Sequence, residues 1–211
     1  MSKVLPILFN TDMVRAILEG RKTVTRRCVK LPKWIEKQDD GLYTLFAEGT
    51  CYENKCFEDI ATYLNKPYCP GDILYVRETW CDDRQYTKDD TPGIFFYKAD
   101  EKNSYNEKWH PSIHMPKEAA RIFLKVKDVR VKRLQECGKG WCLDIEKEGV
   151  VTPQDPILYT SDDKYHDALR EEFQKLWNST IKKSDLEQYG WDANPWVWVI
   201  EFERCEKPVE F

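Results

Sequence analysis

In the run Trp196-Val197-Trp198-Val199-Ile200-Glu201-Phe202, the first five residues are apolar at successive positions rather than alternate ones. A strand with that pattern must be covered on both faces, because neighbouring side chains point to opposite sides of a sheet. The segment, preceded by the turn residues Asn194-Pro195, therefore predicts a closing strand in the centre of a sheet. A doubly covered strand needs partner strands beside it and further structure above and below.

The chain supplies both. Val4–Phe9 is a short apolar segment with polar flanks and reads as a strand. Pro70-Gly71-Asp72 is a turn signal ahead of the strand Ile73–Glu78, and Ile94–Tyr97 is another apolar strand. Arg121–Leu134 reads as a long strand. Its Ile122, Leu124 and Val126 share one face before the phase slips to Val129 and Val131, which places a bulge or bend at Asp128. Thr11 opens a helix with Met13, Ala16 and Ile17 on one side and Gly20 at the stop. The alternating, β-branched run Arg21–Arg27 then suits a strand leaving that helix. Residues 144–149 fit a short helix ending at Gly149. Ser161 caps a longer one whose Leu169, Phe173, Leu176 and Trp177 fall at helical spacing.

Two stretches read as insertions. Residues 30–70 look irregular, with Gly41, Gly49, Pro67, Pro70 and three cysteines, and residues 99–118 form a long loop holding Trp109, His110 and His114. About five strands with two or three helices make an α+β fold, a small mixed barrel of one domain spanning residues 1–211.

Charge narrows the function classes. With 33 Lys and Arg against 37 Asp and Glu, the net charge of -4 argues against coating nucleic acid through a general basic field. Two local clusters stand out, Arg21/Lys22/Arg26/Arg27 and Arg121/Lys125/Lys127/Arg130/Lys132/Arg133. Each is either a phosphate-contacting groove or a solvated face. No apolar run approaches the roughly 18 residues needed to span a bilayer. Residues 1–10 lack a signal-peptide pattern, so the expectation is a cytoplasmic protein whose eight cysteines stay reduced. Cys51-x4-Cys56 and Cys137-x4-Cys142 are spaced more widely than zinc knuckles. Cys69, Cys81, His110 or His114 could complete a site with the first pair, against buried thiols as the simpler reading. With no Walker loop, dinucleotide fingerprint or His-Glu-x-x-His, no cofactor is expected.

Several segments resemble one family. Pro6-Ile7-Leu8-Phe9 through Ile17-Leu18-Glu19-Gly20-Arg21-Lys22-Thr23-Val24-Thr25-Arg26-Arg27 is similar to the opening of ASCH-domain proteins, especially their phage and prophage branch. Gly71-Asp72-Ile73-Leu74-Tyr75-Val76-Arg77-Glu78-Thr79-Trp80 resembles the family's second signature. Pro111–Pro116 with Ala119–Ile122, and Asn194–Phe202, resemble further segments of the same branch. The resemblance implies a PUA-like β-barrel with a cleft that binds RNA or a modified nucleoside. One small bacterial member of the family is an N(4)-acetylcytidine amidohydrolase that uses a Lys, a Thr and a Glu. On this chain its Lys and Thr fall on Lys22 and Thr25, and its Glu falls best on Glu148, with Glu146 a near competitor.

In that chemistry Thr25 attacks an acetamide carbonyl and Lys22 takes its proton, which requires a lysine pKa lowered by burial or by neighbouring cations such as Arg21 and Arg26. Glu148 would hold the lysine or pass a proton to the leaving amine. In an ideal strand Lys22 and Thr25 face opposite ways, so the arrangement needs Lys22 to lie in the turn after the helix. A binding module without turnover would use the same cleft. It would stack a base on Trp80, Trp109 or Tyr75 and read its edge with Arg77, Glu78 or His114. A protein-interaction role in phage biology is the remaining alternative.

Overall fold

A computed structural model describes residues 2–47, 50–82, 95–100, 108–138, 143–153, 159, 161–209 and 211. The chain is a mixed α+β structure. It begins with β1 (Val4–Leu8), α1 (Thr11–Leu18) and β2 (Val24–Cys28). A small meander, β3 (Ile35–Lys37), β4 (Tyr43–Ala47) and β5 (Thr50–Lys55), leads into α2 (Phe57–Ala61). Next come β6 (Ile73–Arg77), β7 (Trp80–Asp82), β8 (Phe95–Tyr97) and the long β9 (Phe123–Arg133). The helices α3 (Leu143–Glu146), α4 (Asp162–Thr180) and α5 (Leu186–Tyr189) precede the last strand, β10 (Trp196–Cys205).

The main sheet runs β1-β6-β9-β10-β2. β1 and β6 are parallel, and every other pair is antiparallel. β10 thus lies inside the sheet, and its unbroken apolar run feeds two separate cores. Trp198, Ile200 and Phe202 join a large core with Ile7, Val14, Ile17, Leu74, Val76 and Leu124. Val197 and Val199 point the other way, into a second core with Val24, Leu169, Phe173 and Trp177. α1 covers the first face and α4 the second. α1 starts at an Asn10 cap that accepts from the Met13 N–H, and α4 starts at Ser161, which accepts from Lys164. A third, smaller core gathers Trp80, Met115, Ala119, Ala120 and Phe123.

The expected slip in β9 is present one residue away from Asp128. Glu201 pairs with Asp128 and Phe202 with Val126, which leaves Lys127 as the extra residue of the bulge. Three expectations need correction. Ten strands and five α-helices occur among the described residues, more than the sequence reading gave. Residues 30–70 are not an irregular appendage, because Ile35, Tyr43, Leu45, Phe57, Ile60 and Leu64 pack into the large core. The barrel is not closed. Among the described residues β1 and β2 are the edges of the main sheet, and no strand pairing joins them. Of the Ile94–Tyr97 strand, Ile94 lies outside the described residues, as do 101–107 of the expected 99–118 loop. The described part of that loop holds 3-10 turns at Ser112–His114 and Lys117–Ala119. No helix among the described residues is long and apolar enough to cross a membrane.

Candidate functional site

The site is assembled where the end of α1 meets the segment after α3. Gly20 adopts φ +77°, which turns the chain so that the N–H groups of Arg21 and Lys22 both reach Ala16 O, at 2.9 and 3.0 Å. Lys22 therefore lies in the turn, and β2 begins only at Val24. This meets the geometric condition for Lys22 and Thr25 to serve one site. On the other side, Lys147 O accepts from Thr23 N at 2.9 Å and from Val24 N at 3.0 Å, and Lys22 and Glu148 form an isolated antiparallel bridge. Gly149, also at φ +77°, closes the junction. A Cβ there would stand 2.6 Å from Ala16 Cβ and 2.9 Å from Lys22 Cβ.

The backbone lock brings buried charges together. Lys22 Nζ donates to Val24 O at 2.8 Å, Glu148 O at 2.9 Å and Glu148 Oε2 at 2.7 Å, so each N–H of the ammonium has an acceptor. Glu148 Oε1 accepts from Arg26 Nη1 at 2.6 Å. Arg26 Nη2 makes no hydrogen bond among the described residues and stands 3.8 Å from Asp144 Oδ2. Arg27 Nη1 donates to Thr25 Oγ1 at 3.3 Å, and its Nη2 donates to Leu8 O at 3.0 Å. Aromatic faces complete the shell. Lys22 and Arg27 lie 5.6 and 5.5 Å from the Phe9 ring, and Arg26 lies 5.7 Å from Phe173.

Burial shapes the titration of these groups. It pulls Lys22 below the ordinary lysine value, with the Glu148 carboxylate opposing. The protein around Arg27 lowers it too, although it is accessible from solvent. Burial also pushes the Cys28 thiol up to about 11.

These side chains border a cavity of ≈ 460 Å³. Ile7 to Asn10 of the β1 end form one wall, Phe173, Trp177 and Thr180 of α4 form another, and Lys22, Thr25, Arg26, Arg27 and Glu148 supply its polar part. Tyr68, whose hydroxyl donates to Pro6 O at 3.0 Å, borders it from the 30–70 segment. β2 is an edge strand, so side chains from both of its faces reach the opening, Thr25 and Arg27 from one and Arg26 from the other. Both edge strands of the main sheet border the cavity, β1 through Ile7 and Leu8 and β2 through Thr25 to Cys28.

The other expected ligand-binding residues do not border this cavity. Arg21 pairs with Glu19 and donates to Gly149 O at 2.8 Å. Tyr75 packs against Phe211, and Arg77 donates to Met115 O at 3.0 Å. Glu78 is buried and accepts from Arg121 at 2.9 and 3.0 Å. Trp80 is buried against Phe95 and His110, Trp109 is half-buried, and His114 is exposed. For Tyr75 and Arg77 the reason is strand alternation. Leu74 and Val76 of β6 take the large-core face, so Tyr75 and Arg77 take the other.

Three of the six residues of the second basic cluster are ion-paired among the described residues. Arg121 pairs with Glu78 and Asp100, Lys127 with Glu203, and Arg130 with Asp128 and Glu201. No group of three His, Cys, Asp or Glu side chains able to hold a metal occurs among the described residues, which exclude Cys142. Sequence reading gave no site role to Phe9, Tyr68, Asp144, Phe173 or Trp177. Phe173 and Trp177 carried only the signal of a helix stripe, and Tyr68 carried none. Comparison of the chain with protein-family models, curated proteins and solved structures finds no match.

Proposed function

We propose that the chain is an ASCH-type, PUA-like protein of the cytoplasm, related to the phage and prophage branch, that binds a modified nucleoside or an exposed RNA base in this cavity. The observation that carries the reading is a single half-open cavity of ≈ 460 Å³ bordered both by Lys22, Thr25, Arg26 and Glu148 and by the aromatic side chains of Phe9, Tyr68, Phe173 and Trp177. Pockets for small ligands have this character, a mostly apolar wall with a few placed polar groups. That both sheet edges border this cavity, with Arg27 of β2 donating to Leu8 O of β1, supports relating the sheet to a mixed barrel whose last seam is filled by side chains. The chain's net charge of -4 favours recognition inside a pocket over binding along a charged surface.

A second reading, deacylation of an N(4)-acetylcytidine-like nucleoside, is favoured by the placement of Thr25 and a buried, pKa-lowered Lys22 on the same cavity. Lys22 in its amine form would take the Thr25 proton as Thr25 Oγ bonds to the acyl carbon. The cytosine amine would leave with that proton, and water would then cleave the Thr25 ester. Calorimetric titration with N(4)-acetylcytidine, alongside chromatographic detection of cytidine and acetate, separates the readings. Saturable binding without product makes the chain a reader, and product that Lys22→Ala fails to form makes it an amidohydrolase. No heat and no product would overturn both.

A further inference from the structure

Charge in the cavity is unbalanced. With Lys22 as the ammonium that its three acceptors define, Lys22, Arg26 and Arg27 are its cations and Glu148 its carboxylate, an excess of two positive charges. Asp144, 3.8 Å from Arg26, still leaves one. Glu148 is already divided between Lys22 and Arg26. Arg27 has no carboxylate partner among the described residues, and its donors go to the neutral oxygens of Thr25, Arg26 and Leu8. Arg26 is the sharper observation. Its side chain is 1% exposed, it borders the cavity, and its Nη2 has no hydrogen-bond partner among the described residues. A buried guanidinium nitrogen without an acceptor is unfavourable, and a charge-assisted bond to an entering oxygen relieves it.

We propose that Arg26 and Arg27 form an oxyanion subsite of this cavity, and that its ligand is therefore a phosphorylated nucleoside rather than a neutral one. The proposal rests on the nucleoside reading above. Guanidinium groups suit a phosphate because their paired N–H donors match its oxygens. Neighbouring positions of an edge strand deliver two of them from opposite faces to one opening, while the Phe9 and Phe173 rings sit against their other surfaces. The phosphate has two possible sources, a free nucleoside monophosphate or the terminal phosphate of an RNA.

The test is calorimetric titration of the full chain with cytidine, cytidine 5′-monophosphate, their N(4)-acetylated forms, inorganic phosphate, and a trinucleotide with and without a 5′-phosphate. The expected result is about ten-fold or tighter binding of each monophosphate over its nucleoside. That preference weakens with added salt, shrinks in Arg27→Gln and returns in Arg27→Lys. Arg27 is accessible and makes no hydrogen bond to the side chains of Lys22, Glu148 or Arg26, so these variants should leave that buried cluster in place. Tighter binding of the phosphorylated trinucleotide than of the monophosphate identifies an RNA end as the source, and the reverse identifies a free nucleotide. Equal binding of nucleoside and monophosphate overturns the oxyanion subsite and leaves the nucleoside reading standing. Phosphate binding that depends on Arg27 with no contribution from any base does the opposite. No binding by any probe overturns both.

Discussion

Lys22 and Glu148, 126 positions apart, are joined three ways: by an isolated antiparallel backbone bridge, by Lys22 Nζ donating to Glu148 O at 2.9 Å, and by an ion pair of 2.7 Å between side chains only 2% and 5% exposed. The side-chain contact is thus set by the backbone contact, and the two should fail together.

Removing one partner strands a buried charge. Glu148→Gln leaves Lys22 and Arg26 facing a neutral amide, and a loss of about 3–5 kcal/mol in unfolding free energy is expected. Urea denaturation followed by tryptophan fluorescence measures it. Lys22→Met combined with Glu148→Gln should cost less than the two single losses added. Strict additivity would mean that the pair does not interact.

The two turn glycines allow a controlled comparison. Both have φ +77°, yet a Cβ at Gly20 meets nothing within 4 Å, whereas one at Gly149 collides with Ala16 and Lys22. Gly20→Ala should cost about 1 kcal/mol through backbone conformation alone. Gly149→Ala should cost roughly 2 kcal/mol or more, adding the forced displacement. Thermal melts of the two variants check the order, and equal losses would refute the close junction.

Cys28 reports on the cavity through its ionisation. With its thiol pushed up to about 11 by burial, it should alkylate far more slowly at pH 8 than the exposed Cys51 and Cys69. A bound ligand should slow it further. A thiol whose folded pKa exceeds its unfolded value of about 8.5 contributes stability that is complete below that pH. This contribution is lost as the pH climbs toward the folded value. Site-resolved mass spectrometry after iodoacetamide treatment decides it; rapid labelling of Cys28 at pH 8 would contradict the burial.

Tyr68 tests the aromatic wall with little structural penalty, because it is half-buried and anchored by one hydrogen bond to Pro6 O. Tyr68→Ala should weaken nucleoside binding by about 1–3 kcal/mol if the ring stacks on the base, with a small change in melting temperature. Unchanged affinity would take Tyr68 out of the binding surface.

Much of this architecture was legible in the sequence because it depends on local patterns. The doubly apolar β10 required cover on two faces, Gly20 marked the end of α1, and the phase slip in β9 placed the bulge within one residue of Lys127. The turn position of Lys22 could be stated as a requirement before it was seen. What escaped the sequence depends on tertiary contacts. The strands of the 30–70 meander are three to six residues long, too short for alternation to stand out among charges. Tyr68 reaches the cavity only because that meander packs on the core. Tyr75, Arg77 and Trp80 have side chains suited to a base, but alternation on β6 assigns Tyr75 and Arg77 to the face opposite Leu74 and Val76. Residue type suggested them, and strand parity placed them elsewhere.

The cavity takes Phe9 from one hydrophobic core and Phe173 and Trp177 from the other, so it lies on the seam between them. A molecule lodged there works as a cross-brace. It should couple the melting of α4 to that of the β1 side of the sheet, so that the occupied chain is expected to lose both cores in one transition, at a temperature that rises with ligand concentration.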